Sequence, residues 1–198
     1  MPPGLFKVMP ASWVVLITSL FNSIFMAGSY PSGWITAKLF TIYKRGCKAV
    51  PSNYRAINVI NTIAKLYNTV LAARLKQWFV PFREQAGSQA GIGCVEHLVT
   101  LRLLMDVARR KIKLFVTIVD FSRAYDYVPR LNLSMLLKRM GCGATMLLAL
   151  AAMYRCTNSV MGTAVIATTI GVRQGSPTSC LLFVLYVNVM IQMMMMVF

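Results

Sequence analysis

An apolar segment that ends in a carboxylate is the feature that most constrains this chain. Residues Lys113–Val119 have strand length and are rich in β-branched side chains. Asp120 follows where the pattern asks for another hydrophobic residue. A carboxylate at the end of a buried strand is unfavourable unless a metal ion, a cation or water meets it. We therefore predict a central strand that carries Asp120 at its carboxyl end, as the first candidate for chemistry.

Acidic residues are scarce, and two of the five in the chain, Asp120 and Asp126, lie within seven positions of each other. Two interpretations of this pair stand side by side. Asp120 could cap the following turn while Asp126 pairs with a nearby arginine, which is a structural role. Alternatively, the pair belongs to a catalytic site. The segment about fifty residues later favours the second interpretation.

The formal net charge of +16 arises from 21 basic residues against 5 acidic ones. Such a balance favours polyanionic partners, either nucleic acid or an anionic membrane surface. The five cysteines are widely spaced and form no C-x-x-C pair, so neither a disulfide framework nor a zinc site is indicated. No secretory signal is readable at the N-terminus, and we expect an intracellular location in the nucleus or cytoplasm.

Hydrophobic periodicity predicts a mixed α/β fold. We predict helices at 12–27, 61–79, 95–110, 131–140 and 144–154, and a further helix within the uncharged segment 178–198. Strands are predicted at 35–43, 113–119, 159–161 and 165–170. A turn is expected at 28–34, and a loop rich in glycine, alanine and serine at 85–93.

Several motifs, taken in order, resemble one protein family. Val119–Asp126 (VDFSRAYD) closely resembles the first catalytic motif of reverse transcriptases, in the form found in non-LTR (LINE-like) retrotransposons. Gly171–Phe183 (GVRQGSPTSCLLF) resembles the motif that follows it in this family. Upstream, Tyr30–Trp34, Tyr43–Lys44 and Asn53–Ile57 match the fingers region. Each motif alone is weakly specific, whereas the ordered set spans nearly the whole chain and is strongly specific.

The resemblance implies the α/β fold of a right-hand polymerase, with helices packed on a small, mainly antiparallel sheet. Residues 1–112 would form an N-terminal extension and the fingers, and residues 113–198 a partial palm. The implied activity is RNA-directed DNA polymerase, in which two Mg²⁺ ions assist transfer of a nucleotide to a primer. The implied partners are an RNA template, a DNA primer and deoxynucleoside triphosphates, and we expect no membrane partner.

The resemblance also assigns roles at the predicted catalytic strand. Asp120 would be the catalytic carboxylate and a metal ligand, with the Phe121 carbonyl as a second oxygen donor, because Mg²⁺ prefers oxygen ligands. Tyr125 would lie under the sugar of the incoming nucleotide, where its ring would clash with a ribose 2′-hydroxyl. Asp126 is expected to be a structural hydrogen-bond partner.

Four more residues would complete the nucleotide site. Lys44 and Arg55 resemble the fingers cations that neutralise the triphosphate. Gln174 would border the nucleotide and the template base, and Gly175 would let the backbone approach closely. Among these residues, only the glycine has a role that its chemistry alone suggests; the others rest on the resemblance.

The sequence also departs from the family pattern. Reverse transcriptases carry two adjacent aspartates after the second motif, whereas this chain has no Asp or Glu after Asp126. We therefore expect the isolated chain to be inactive as a polymerase. Two alternatives stay open. One is a non-catalytic, basic nucleic-acid-binding protein, and the other is a membrane-associated protein anchored through the uncharged run 181–198.

Overall fold

Seven α-helices and four β-strands make up the fold of the residues that the structure describes. The computed structural model describes residues 3–89, 91–111, 113 and 115–197. In chain order the elements are α1 (Ala11–Met26), α2 (Ser32–Ile35), β1 (Thr36–Tyr43), β2 (Tyr54–Val59), α3 (Thr62–Trp78), α4 (Cys94–Lys111), α5 (Arg130–Arg139), α6 (Ala144–Arg155), β3 (Thr157–Met161), β4 (Ala164–Thr168) and α7 (Pro177–Val197). Short 3-10 turns lie at Pro3–Val8, Pro51–Asn53 and Ala124–Tyr127.

The four strands form one sheet in the order β2-β1-β3-β4. β1 pairs antiparallel with β2 and parallel with β3, while β3 pairs antiparallel with β4. The predicted fold class, helices on a small and mainly antiparallel sheet, is confirmed. The strands predicted at 35–43, 159–161 and 165–170 are confirmed as β1, β3 and β4. β2 was not predicted as a strand, because the apolar and polar residues of Tyr54–Val59 do not alternate regularly.

The predicted central strand at 113–119 is wrong. Residues 115–121 adopt no regular structure, and Leu114 lies outside the described residues. Phe115 is 89% exposed and Ile118 is 86% exposed, so the apolar run is not buried. A strand requires a hydrogen-bonded neighbour, and within the described part of the chain the sheet pairs its four strands only with one another. Asp120 therefore ends an extended, exposed segment rather than a buried strand.

Two hydrophobic clusters hold the helices together. The first joins α3, α5, α6 and α7, with Leu182 and Leu185 of α7 fully buried. The second packs Phe21 of α1 and Trp34 of α2 against Tyr67 of α3. Trp34 lies on α2, so the predicted turn at 28–34 instead ends in a short helix. Asn61 caps α3 by accepting a hydrogen bond from the Ile63 amide at 2.9 Å.

One helix among the described residues is long and apolar enough to cross a membrane. This segment, Pro177–Met196, has a mean hydropathy of 1.9, and 28% of it is buried. Its first half supplies core residues, whereas Met193–Met196 are exposed. The length and composition of this segment fit both a core helix and a membrane span.

Candidate active site

One cavity of about 1020 Å³ is lined by three separate parts of the chain. The first is the β1–β2 hairpin, through residues 44, 51, 52 and 54–57. The second is residues 120–126, and the third is residues 174–176 with 179 and 180 at the start of α7. All seven predicted site residues line this cavity: Lys44, Arg55, Asp120, Phe121, Tyr125, Gln174 and Gly175. The structure thus brings these residues together, while their roles stay predictions.

Backbone hydrogen bonds join the second part of the cavity to the third. The Gly171 amide donates to the Val128 carbonyl at 2.9 Å, and the Val172 amide donates to the Tyr125 carbonyl at 2.8 Å. Gly171 has a φ of +84°, and a Cβ there would lie 2.6 Å from the Asp126 carbonyl oxygen. Only glycine permits this approach, because the obstructing atoms belong to the backbone.

A second close approach joins the third part of the cavity to the hairpin. The Asn58 amide of β2 donates to the Gln174 carbonyl at 2.9 Å. Gly175 has a φ of +108°, and a Cβ there would lie 2.5 Å from the Asn58 carbonyl oxygen. Gly175 was predicted to let the backbone approach the nucleotide, and in the structure the close neighbour of this glycine is the Asn58 carbonyl. No local sequence pattern identifies Asn58 as the neighbour of this loop, because the residues in contact are more than a hundred positions apart.

The side chains of Gln174 and Asp126 bond to each other inside the cavity. Gln174 Nε2 donates to Asp126 Oδ1 at 3.0 Å. Asp126 thus acts as a hydrogen-bond partner, as the sequence analysis expected, and it fixes the orientation of the Gln174 amide. Asp120 is exposed and makes no hydrogen bond or ion pair with the described residues.

Tyr125 is held against α7. Its ring stacks on Phe183, with the ring centroids 4.8 Å apart and an interplanar angle of 25°. Burial, followed by a hydrogen bond with Cys180, raises the pKa of Tyr125 to about 12. The phenol is therefore neutral at physiological pH, and the stacked ring presents a rigid apolar surface to the cavity.

Two arginines without a predicted role, the half-buried Arg130 and the buried Arg173, support the loop behind the cavity. Arg130 donates to the carbonyls of Gly171, Tyr154 and Thr168, each at 2.8 Å. Arg173 is 7% exposed and donates to the carbonyls of Trp34 and Ile35. Burial lowers the pKa of both guanidinium groups. These contacts fix the loop from behind without using any carboxylate.

A hydrogen-bond chain links the N-terminal helices to the same loop. The Tyr30 hydroxyl donates to Asn68 Oδ1 at 3.3 Å, and Asn68 Nδ2 donates to Ser176 Oγ at 3.2 Å. Ser176 in turn bonds Thr178 at 3.0 Å. Residues 173–178 are therefore anchored on α2 and α3 as well as on the sheet.

The described residues do not fit a complete two-metal centre. A search of residues 3–89, 91–111, 113 and 115–197 finds no group of three or more His, Cys, Asp or Glu side chains that could hold a metal ion. The cavity offers two carboxylates, and that of Asp126 is already bonded to Gln174. Asp120 and the Phe121 carbonyl are thus an incomplete set of metal ligands.

Comparisons with known proteins agree with this arrangement. Residues 42–197 match the reverse transcriptase (RNA-dependent DNA polymerase) family. The chain is 28% identical over 175 residues, 84% of its length, to the Retrovirus-related Pol polyprotein from type-1 retrotransposable element R2 of Nasonia vitripennis. It is also 26% identical over 129 residues, 62% of its length, to the Probable RNA-directed DNA polymerase from transposon BS of Drosophila melanogaster. The aligned segments cover 17% and 14% of these relatives.

Proposed function

The chain belongs to the reverse transcriptase (RNA-dependent DNA polymerase) family, and we propose that its cavity binds the incoming deoxynucleoside triphosphate of a non-LTR retrotransposon polymerase. The observation that carries this proposal is that all seven predicted site residues line one cavity. They come from three segments of the chain that are distant in sequence.

Each wall of the cavity would serve a different part of the nucleotide. Lys44 and Arg55, on the hairpin, would neutralise the phosphates, because both side chains are exposed and unpaired among the described residues. Tyr125 would restrict the sugar through its stacked ring. Gln174, oriented by Asp126, would face the base and its template partner. These residues bind and orient the nucleotide.

We also propose that the chain alone does not polymerise DNA. Metal-assisted nucleotidyl transfer uses several carboxylates around its ions, whereas only Asp120 is available in this cavity. The remaining ligands would come from a segment beyond these residues in a longer polypeptide. On the same reading, residues 1–112 form an N-terminal extension with the fingers, and residues 113–198 form part of the palm.

The first experiment is primer extension on poly(rA) with an oligo(dT) primer and Mg²⁺. The chain alone is compared with a chimera in which the following segment of the Nasonia vitripennis R2 relative is appended, and with the Asp120→Ala form of that chimera. We expect product from the chimera only. An active Asp120→Ala chimera would overturn the role of Asp120.

A second function, nucleic-acid binding without catalysis, is favoured by one observation. The net charge of +16 is accompanied by only two ion pairs among the described residues, Arg102–Asp106 and Arg109–Asp106, so most of the described cations have no carboxylate partner. Binding of this kind would weaken steeply with salt and would not depend on Asp120. Filter binding of RNA by the wild type and by Asp120→Ala, across a salt series, separates the two functions.

A further inference from the structure

Arg123 has a backbone conformation that its side chain disfavours. Its φ of +52° and ψ of +43° place it in the left-handed helical region. Among the described residues, only Arg123 and Ser88 combine a positive φ with a side chain larger than that of glycine. A left-handed conformation destabilises a residue with a Cβ by about 1–2 kcal/mol. Glycine or asparagine would make the same turn with less strain.

The turn itself does not require arginine. The Arg123 carbonyl accepts a hydrogen bond from the Asp126 amide at 2.9 Å, and any residue could supply that carbonyl. The guanidinium makes no hydrogen bond or ion pair with residues 3–89, 91–111, 113 and 115–197. Nothing in the described chain therefore offsets the strain. Strained residues cluster at functional sites, so the strain at Arg123 points to a ligand in the cavity.

The Arg123 side chain is exposed and lines the cavity that Lys44 and Arg55 also line. The three cations come from two separate parts of the chain, since Lys44 and Arg55 belong to the β1–β2 hairpin and Arg123 follows Asp120. They outnumber the two carboxylates of the cavity, of which Asp126 is bonded to Gln174. The cavity as a whole thus favours an anion.

We propose that Arg123 is a third phosphate-binding residue, which together with Lys44 and Arg55 holds the triphosphate of the nucleotide. The inference rests on the proposed function, because it names the same nucleotide. A guanidinium presents its donors in a planar fork that matches two phosphate oxygens at once. A triphosphate fits better than an RNA backbone, because its negative charges lie close together and three cations line one cavity.

Binding of dTTP to the full chain, measured by isothermal titration calorimetry with EDTA present, tests the proposal. EDTA removes divalent ions, so that only protein cations neutralise the phosphates. Arg123→Gly removes the cation and keeps the left-handed turn, and Arg123→Lys keeps the charge. Arg55→Ala is the positive control. Lys65→Ala, an exposed cation of α3 outside the cavity, is the negative control.

We expect Arg123→Gly to weaken dTTP binding by roughly tenfold, since a charge-assisted hydrogen bond of about 1.5 kcal/mol corresponds to that factor. Arg123→Lys, which keeps the charge but loses the planar fork, should bind dTTP with an affinity between those of the wild type and Arg123→Gly. Binding of thymidine, which has no phosphate, should be equal in the wild type and in Arg123→Gly.

Each outcome has a defined meaning. If Arg55→Ala weakens dTTP binding and Arg123→Gly does not, the role of Arg123 is refuted and the nucleotide site stands. If the wild type does not bind dTTP, the proposed function fails and this inference fails with it. If Arg123→Gly weakens binding of a short poly(rA) oligonucleotide as much as that of dTTP, the residue contacts RNA and the triphosphate assignment is refuted. Circular dichroism spectra of all variants confirm that they are folded.

Discussion

Replacing Gly175 by alanine should break the contact between Asn58 of β2 and the loop that borders the cavity. Gly175 has a φ of +108°, and its new Cβ would lie 2.5 Å from the Asn58 carbonyl oxygen. A backbone carbonyl in a strand cannot rotate away, as a flexible side chain could. The loop must therefore move, and the hydrogen bond from the Asn58 amide to the Gln174 carbonyl is then lost.

The magnitude follows from three effects. The positive φ destabilises alanine by about 1–2 kcal/mol, and the lost hydrogen bond accounts for about 1 kcal/mol. Displacing packed atoms adds roughly 1 kcal/mol. We expect Gly175→Ala to lower the free energy of unfolding by about 3–4 kcal/mol. Gly162 is the matched control, because its φ is +60° and a Cβ there would meet no atom within 4 Å. Gly162→Ala should therefore lower it by only about 1–2 kcal/mol.

Urea unfolding followed by circular dichroism at 222 nm measures both variants. Equal losses of stability in Gly175→Ala and Gly162→Ala would refute the reasoning, because the close approach to Asn58 would then contribute nothing. Calorimetry with dTTP provides a second readout. Gly175→Ala should weaken nucleotide binding, whereas Gly162→Ala, on the β3–β4 turn, should leave it unchanged.

Two further predictions concern the half-buried Arg130 and the buried Tyr67. Arg130→Ala should lower the free energy of unfolding by about 3–4 kcal/mol, since several carbonyls lose a charged donor. Arg109→Ala, which removes one exposed ion pair at 3.6 Å, should change it by less than about 0.5 kcal/mol, and equal effects in urea unfolding would contradict this. Tyr67 is 1% exposed, its hydroxyl has no hydrogen-bond partner among the described residues, and burial raises its pKa to about 12. Tyr67→Phe should therefore raise the free energy of unfolding by about 1 kcal/mol. Because the folded-state pKa is raised, the wild type should lose stability as the pH rises from about 10 through 12, and Tyr67→Phe should lose less; a parallel decline in both would refute the assignment.

The helices could be predicted from the sequence because their signals are local. The spacing of apolar residues predicted α3 to within a residue or two of its ends. Strand formation depends on a neighbour that may be distant, so the apolar, β-branched run at 115–119 was assigned to a strand that the structure does not form. The composition of this run is typical of a strand, but its exposure to solvent is not.

The members of the cavity were predicted through motif resemblance, and their supports were not. Asn58, Arg130 and Asn68 act through contacts with residues that are from 24 to 116 positions away. No local pattern marks such a residue. The sequence does not reveal the role proposed for Arg123 either, because its left-handed backbone conformation is known only from the structure.

The buried polar network behind the loop has a consequence for the behaviour of the protein in acid. Arg130, Arg173 and Asn68 hold the loop through carbonyls, amides and hydroxyls, none of which changes protonation between pH 2 and 7. Acid denaturation usually proceeds through carboxylates that are paired in the native interior. Here every one of the five carboxylates lies at least partly in solvent. Acid should therefore act on this fold mainly through repulsion among its cations, and added salt, which screens that repulsion, should restore most of the lost stability.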